Sequence, residues 1–236
     1  MNLDSAAIFR QFPAAAEYLS AIFILKRDYG SVGNTQVAAW LGVTSPAVTQ
    51  ALGRLKKFGL VRQERYGTIA LTDEGGALAV SVLRRHYLLE HLLVGQLNYP
   101  WEKADEEAKR LQGTISEDLT EHMYLRFGSP QACPHGNPLP GSAVEAKLLA
   151  APRLSLAPVG VAIRILRITE EGEQIPHMLE ICHERGIRPG ALFRVMASDE
   201  DSVRLAPAGP LPVSGVAAEV TIARGNAAHI RFEEYS

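Results

Sequence analysis

Apolar positions near the N-terminus recur at helical spacing. Tyr18, Ile22 and Leu25 lie four and three residues apart, with Phe23 and Ile24 thickening the stripe. This pattern predicts an amphipathic helix over residues 14–29, started by Pro13 and stopped by Gly30. Val37, Ala38 and Leu41 predict a shorter helix over 35–41, and Gly42-Val43-Thr44 a tight turn. A second helix follows over 45–58, with Ser45 as N-cap, Pro46 at the first helical position and Gly59 as its end. Val48, Leu52 and Leu55 form its inward stripe. Two short β-runs, 60–64 and 68–71, turn through Tyr66-Gly67. Thr72 then caps a long helix over about 73–97.

Residues 100–127 read as another helix or a helix pair. Residues 128–141 (GSPQACPHGNPLPG) are too rich in Pro and Gly for a helix and form a loop. Residues 142–149 allow one or two helical turns, and 150–158 (AAPRLSLAP) read as a linker. From Val159 the pattern changes to short β-runs at 159–168, 192–198, 202–206 and 218–223, interrupted by a helix over about 175–185 and the turn Gly186-Ile187-Arg188-Pro189-Gly190. Strands at this spacing predict a small barrel. Three parts are expected, 1–75, 76–149 and 150–236.

The order helix, short helix, turn, helix, β-hairpin is that of a winged helix-turn-helix. The short helix crosses the DNA backbone and props the next into the major groove, and Gly42 lets the two meet steeply. With Val48, Leu52 and Leu55 inward, Thr44, Ser45, Pro46, Thr49, Gln50 and Arg54 fall on the exposed side. Gln50 suits an adenine edge, while Thr49 and Pro46 suit a thymine methyl or a phosphate. Lys56, Lys57, Arg62 and Arg65 are placed for phosphates beside the groove and along the wing. The net charge of −2 argues against a general nucleic-acid binder, but residues 1–72 carry 8 Lys and Arg against 4 Asp and Glu. Positive charge is therefore concentrated where phosphate contacts are needed.

Hydrophobic residues are 47% of the 236, ample for packed cores. Two cysteines make no disulfide framework, no run approaches the roughly 20 apolar residues of a membrane span, and MNLDSAAIFRQF has no basic-then-apolar layout. A cytoplasmic protein without membrane association is expected. G-x-S-x-G, H-E-x-x-H and phosphate-loop motifs are absent, so no enzyme is expected.

Five segments, in order, resemble the diphtheria-toxin-repressor family of iron- or manganese-responsive regulators: VAAWLGVTSPAVTQALGRLKKFGLV, IALTDEG, RRHYLLEHLL, AKRLQGTIS and CPHGNPLPG. The match runs over residues 14–141, and the tail with its GIRPG turn looks like the SH3-like (FeoA-like) domain that many members carry. The resemblance implies a mainly α fold with small β: a winged helix-turn-helix at 1–75, a helical dimerisation and metal-site domain at 76–149, and an SH3-like β-barrel at 150–236. It implies a homodimer on a double-stranded, inverted-repeat operator, with divalent Mn2+ or Fe2+ as cofactor. The dimer is expected through apolar faces between about 82 and 127, Leu88, Leu92 and Leu119 included.

The family's first-helix ligand position falls on Glu17, and the three positions of its main metal motif become Lys109, Gln112 and Gly113. A charged lysine has no acceptor and glycine has no side chain, so that site looks dismantled. Either a Lys109–Glu17 ion pair stands in for the cation, with Gln112 adding a hydrogen bond, or Lys109 points to solvent. The second family site fares better. His86 and Glu90 are spaced i, i+4 on one helix face, and Asp105 falls on a further ligand position. The remaining family ligands fall on Ile175 and Met178, which cannot serve, although Glu173, Gln174 and His177 lie near enough to substitute. Imidazole and carboxylates suit manganese, iron or zinc. Cys133 and His135 resemble a family loop with no metal role. The leading expectation is a metal-responsive repressor of metal-homeostasis genes; the alternative is a regulator of the same fold that has lost or changed metal sensing.

Overall fold

The computed structural model describes residues 5–63, 67–210 and 218–235. The chain forms two compact units, Met1–Leu89 with Glu106–Gly128, and Glu90–Asp105 with Ser129–Ser236.

The first unit opens with α1 (Ser5–Gln11), α2 (Ala15–Tyr29), α3 (Asn34–Leu41) and α4 (Ser45–Lys57). The predicted stripes meet: Leu19, Ile22 and Leu25 of α2 pack with Val37 of α3 and with Val48, Leu52 and Leu55 of α4. Burying one such side chain contributes about 1.5–3 kcal/mol. The N-cap of α4 is Thr44, one residue before the expected Ser45. Thr44 has extended backbone and its hydroxyl accepts from Ala47 N at 3.3 Å. The hairpin of β1 (Val61–Gln63) and β2 (Ile69–Leu71) pairs Val61 with Leu71 and Gln63 with Ile69.

α5 (Asp73–His91) presses its first turn onto the base of this hairpin. Thr72 donates to the Gly59 carbonyl at 2.7 Å and accepts from Gly75 N at 3.0 Å. A Cβ at position 75 would lie 1.9 Å from the Leu60 carbonyl oxygen, so only glycine allows the approach. α5 ends at His91 and passes into one wider π-type turn, Leu92–Gln96, in place of the regular helix expected to 97. The expected helix pair divides into a short 3-10 turn Trp101–Lys103, α6 (Ala104–Leu111) and α7 (Glu117–Arg126). Arg84 of α5 meets Glu121 of α7 at 2.6 Å, and Arg85 meets Glu117 at 3.1 Å. Leu88 is fully buried within its own chain and offers nothing to a partner, whereas Leu119 is 44% exposed.

The second unit is built on an antiparallel sheet of β3 (Ala162–Ile168), β4 (Leu192–Ser198), β5 (Ser202–Pro207), β6 (Val220–Ala223) and β7 (Ile230–Glu234), in the order β6-β5-β4-β3-β7. Register shifts at Ile165/Arg167 and Val195/Ala197 bend it. β7, with only Ile230 and Phe232 as apolar positions, escaped the sequence pattern. Ile163, Ile165, Phe193, Val195 and Phe232 form the core with Trp101. α8 (Glu145–Ala150), α9 (Glu170–Glu173), α10 (Met178–Glu184) and α11 (Arg224–Ala227) complete the unit.

The Pro/Gly loop at 128–141 is ordered by its own backbone. Cys133 N donates to Asn137 O at 2.8 Å, and Gly136 N to Cys133 O at 2.9 Å. Ile168 N donates to His135 O at 2.9 Å, docking the loop on the end of β3. Gly136 has φ +93°, and a Cβ there would lie 2.2 Å from Leu166 O. Gly136→Ala is therefore expected to lower stability by about 3 kcal/mol or more. Gly141 in the same loop has φ +79° but open space around it, so Gly141→Ala should cost only about 1 kcal/mol. Urea midpoints of both variants check this; equal losses would refute the tight docking.

Candidate metal centre and nucleic-acid interface

The last turn of α5 carries Glu90, the docked loop carries Cys133 and His135, the start of α6 carries Asp105, and the end of α9 carries Glu173. Ligand atoms of Glu90, Cys133 and His135 lie within 4.8 Å of one another, all three residues buried. A carboxylate oxygen of Asp105 lies within the same distance of Glu90. His135 Nδ1 is 2.8 Å from Glu90 Oε2, both side chains at 0% exposure, and 3.7 Å from Glu173 Oε1. His135 Nε2 is 3.0 Å from the Trp101 carbonyl oxygen, and the indole ring packs on the imidazole at 4.5 Å between centroids. Asn137 Nδ2 donates to Glu173 Oε1 at 2.6 Å, while Asn137 Oδ1 is buried with no hydrogen-bond partner.

Both nitrogens of His135 face acceptors, which suits the imidazolium. Burial alone pushes its pKa down, but Glu90, with its hydrogen bond, and then Glu173 and Asp105 outweigh this and hold it at about 9. Burial and the neighbouring carboxylates Glu90 and Glu173 push the Cys133 thiol well up, against a smaller opposing pull from the backbone of Asn137. Glu173 is also raised well above the usual carboxylate range, first by burial and next by Asp105, with His135 opposing. A divalent ion reverses these preferences, because its ligands must be deprotonated. The donor set fits one: sulfur, imidazole and three carboxylates around a buried centre, with an orphaned amide oxygen beside it.

His86 is buried one turn before Glu90 on the same helix. Of the substitutes considered from sequence, Glu173 joins the cluster, while Gln174 and His177 are exposed. Ile175 and Met178 pack into the sheet core. Cys133 and His135, read from sequence as a loop without a metal role, are central to the cluster. The available signal was the pair of ligand-type residues two apart in a loop otherwise poor in them. Glu17, Lys109, Gln112 and Gly113 line one cavity of about 780 Å³ in the first unit. Glu17 belongs to neither metal-capable group among the described residues. Lys109 keeps contacts within the protein, and both it and Glu17 face this cavity.

On α4, Pro46, Thr49 and Gln50 are exposed while Val48 and Leu52 are buried, as the stripe requires. Lys56 and Lys57 are exposed at its end, Lys56 reaching Gln63 of the wing at 2.7 Å. Thr49 is already engaged, accepting from Asn34 Nδ2 at 2.9 Å and donating to Ser45 O at 3.1 Å. Arg54 turns away from the reading face: its guanidinium lies 4.0 Å from the Phe12 ring centroid and donates to Gln11 O at 2.5 Å. Cation–π attraction makes it a strut for α1. Arg65 lies outside the described residues.

The family model described as the iron dependent repressor N-terminal DNA binding domain matches residues 12–69, and that of its metal binding and dimerisation domain matches residues 72–141. The chain is 31% identical over 198 residues to the iron-dependent repressor IdeR of Mycobacterium leprae, covering 79% of this chain and 85% of that protein. It is 25% identical over 203 residues to the diphtheria toxin repressor of Corynebacterium jeikeium, covering 78% and 85%. A manganese-dependent transcriptional repressor solved in complex with manganese matches with TM-score 0.76 at 27% identity, over 94% of this chain and 100% of that one. ScaR with bound Zn2+ matches with TM-score 0.71 at 25% identity, over 94% and 99%. With matched domains that together span residues 12–141, and a relative of this identity and coverage, the chain belongs to the iron-dependent repressor family.

Proposed function

We propose that the chain is a metal-responsive, sequence-specific transcriptional repressor that binds its operator as a homodimer and takes Mn2+ or Fe2+ at the Glu90, Cys133, His135, Asp105 and Glu173 cluster. One observation carries this reading: three ligand-bearing side chains, Glu90, Cys133 and His135, meet in a fully buried centre. His86, one turn away on α5, extends the donor set. When bound, the ion supplies a charge that neutralises the carboxylates and ties their segments together. Glu90 holds the end of α5, whose other end seats the hairpin through Thr72 and Gly75. Ordering that helix steadies the base on which α4 and the wing meet DNA. Gln50 reads a base edge, Pro46 and Thr49 line the groove, and Lys57 and Arg62 meet phosphates. No helix among the described residues is long and apolar enough to cross a membrane, and the operator binding proposed here calls for a protein of the cytoplasm.

The direct test is operator retardation with manganese and with chelator, for the parent and for Cys133→Ala. The parent should bind in manganese only, and the variant should require much more of it; equal retardation in chelator would reject metal control. Gln50→Ala should weaken the best operator by roughly 1–3 kcal/mol and relax one base position, whereas Lys57→Ala should weaken all sequences alike. Operator selection with both variants separates the two roles.

Metal affinity should climb with pH, because His135 and Cys133 each hold a proton that the ion displaces, while burial makes the Glu173 carboxyl reluctant to ionise. Calorimetry in buffers of different ionisation heat should register that release, and pH-independent affinity would exclude these ligands. In chelated protein the sign reverses. His135 is raised to about 9 from 6.5, so its contribution to stability is complete below pH 6.5 and fades as pH rises to 9. Finally, Leu119→Glu should weaken the dimer at least tenfold, about 1.4 kcal/mol, in sedimentation equilibrium. An unchanged dimer would place the interface elsewhere.

A further inference from the structure

The cavity of about 780 Å³ in the first unit lies where the family resemblance places a metal site, yet its walls suit a different guest. Among the described residues, Glu17 is the only carboxylate on its lining, against Arg10, Lys109 and Arg110. Arg110 is largely answered by its own helix, pairing with Glu106 and with Glu107 at 2.8 Å. Arg10 and Lys109 keep other contacts within the protein and still add positive potential to the wall. A cation entering here would meet two like charges and one carboxylate.

Gln112 adds a polar group to this wall. It is 5% exposed and lines the cavity. Its carboxamide NH2 is a ready donor to an anionic oxygen. The rest of the wall is apolar, from Phe9, Pro13, Ala14 and Ala16. At Gly113 a Cβ would meet nothing within 4 Å, so the missing side chain leaves room there. The volume lies within the range of small-molecule sites and far exceeds an inorganic ion.

We propose that this cavity binds a small organic anion, a carboxylate or phosphate ester on an apolar body, with Lys109 and Gln112 holding the anionic group and Phe9 and Pro13 the apolar part. The guest would join α6 to α2, which packs directly on the recognition helix α4, and so adjust operator affinity. The proposal does not depend on the metal cluster.

The probes are benzoate and phenyl phosphate, with inorganic phosphate for comparison, titrated calorimetrically into the chelated full-length protein. Saturable binding of either organic probe at one per chain is expected, and the better of the two identifies the head group. Lys109→Glu and, separately, Gln112→Leu should each weaken it at least tenfold while thermal unfolding stays near that of the parent, and saturating manganese should leave it unchanged. Absence of saturable binding by both organic probes would overturn the proposal. So would equal affinity for inorganic phosphate, affinity unchanged in both variants, or displacement of the probe by manganese.

Discussion

His135 and Glu90 face each other at 2.8 Å with neither side chain exposed. Each charge alone would be costly to bury, and breaking such a pair costs roughly 3–5 kcal/mol because the survivor is left unanswered. The pair joins the end of α5 to the Pro/Gly loop, and the loop's docking on β3 through the His135 carbonyl carries the connection into the sheet. Gly136 makes that docking possible by bringing its backbone against Leu166. Three buried carboxylates, Glu90, Asp105 and Glu173, surround the His135 imidazole there. Burial and the surplus of negative charge, which raise the Glu173 and Cys133 pKa values, are the same features that would draw a divalent ion to this centre.

The DNA-reading unit obeys a different physics. Its helices are positioned by a continuous apolar core, and its polar residues are left where the core does not need them. Arg54 shows how packing reassigns a residue. Helical periodicity places it on the outer face, yet an aromatic ring and a free carbonyl at the end of α1 hold its guanidinium. Thr49 is likewise part of the scaffold, tying α3 to α4 through Asn34. The residues left open for base contact are fewer than the outer face suggests.

The cavity lined by Glu17 and Lys109 stands where the family resemblance places a metal site. Lysine and glutamine there present donors in place of cation ligands, and glycine at the third position leaves space. The two regions differ in the groups they gather, one carboxylates and a thiol, the other ammonium, guanidinium and amide groups.

Helical and strand periodicity, Pro and Gly punctuation and the motif order determined the winged helix, the long α5, the loop at 128–141 and the later strands, because these follow from local patterning. Glu90 and Asp105 were legible by their positions along helices. The tertiary structure alone decided that Cys133 and His135 join them, that Glu173 rather than Gln174 or His177 does so, that Arg54 is held against the end of α1, and that Leu88 is buried within its own chain. Those outcomes depend on which loop docks on which strand and on how charges distant in sequence share one buried volume. Spacing along the chain carries no information about such encounters.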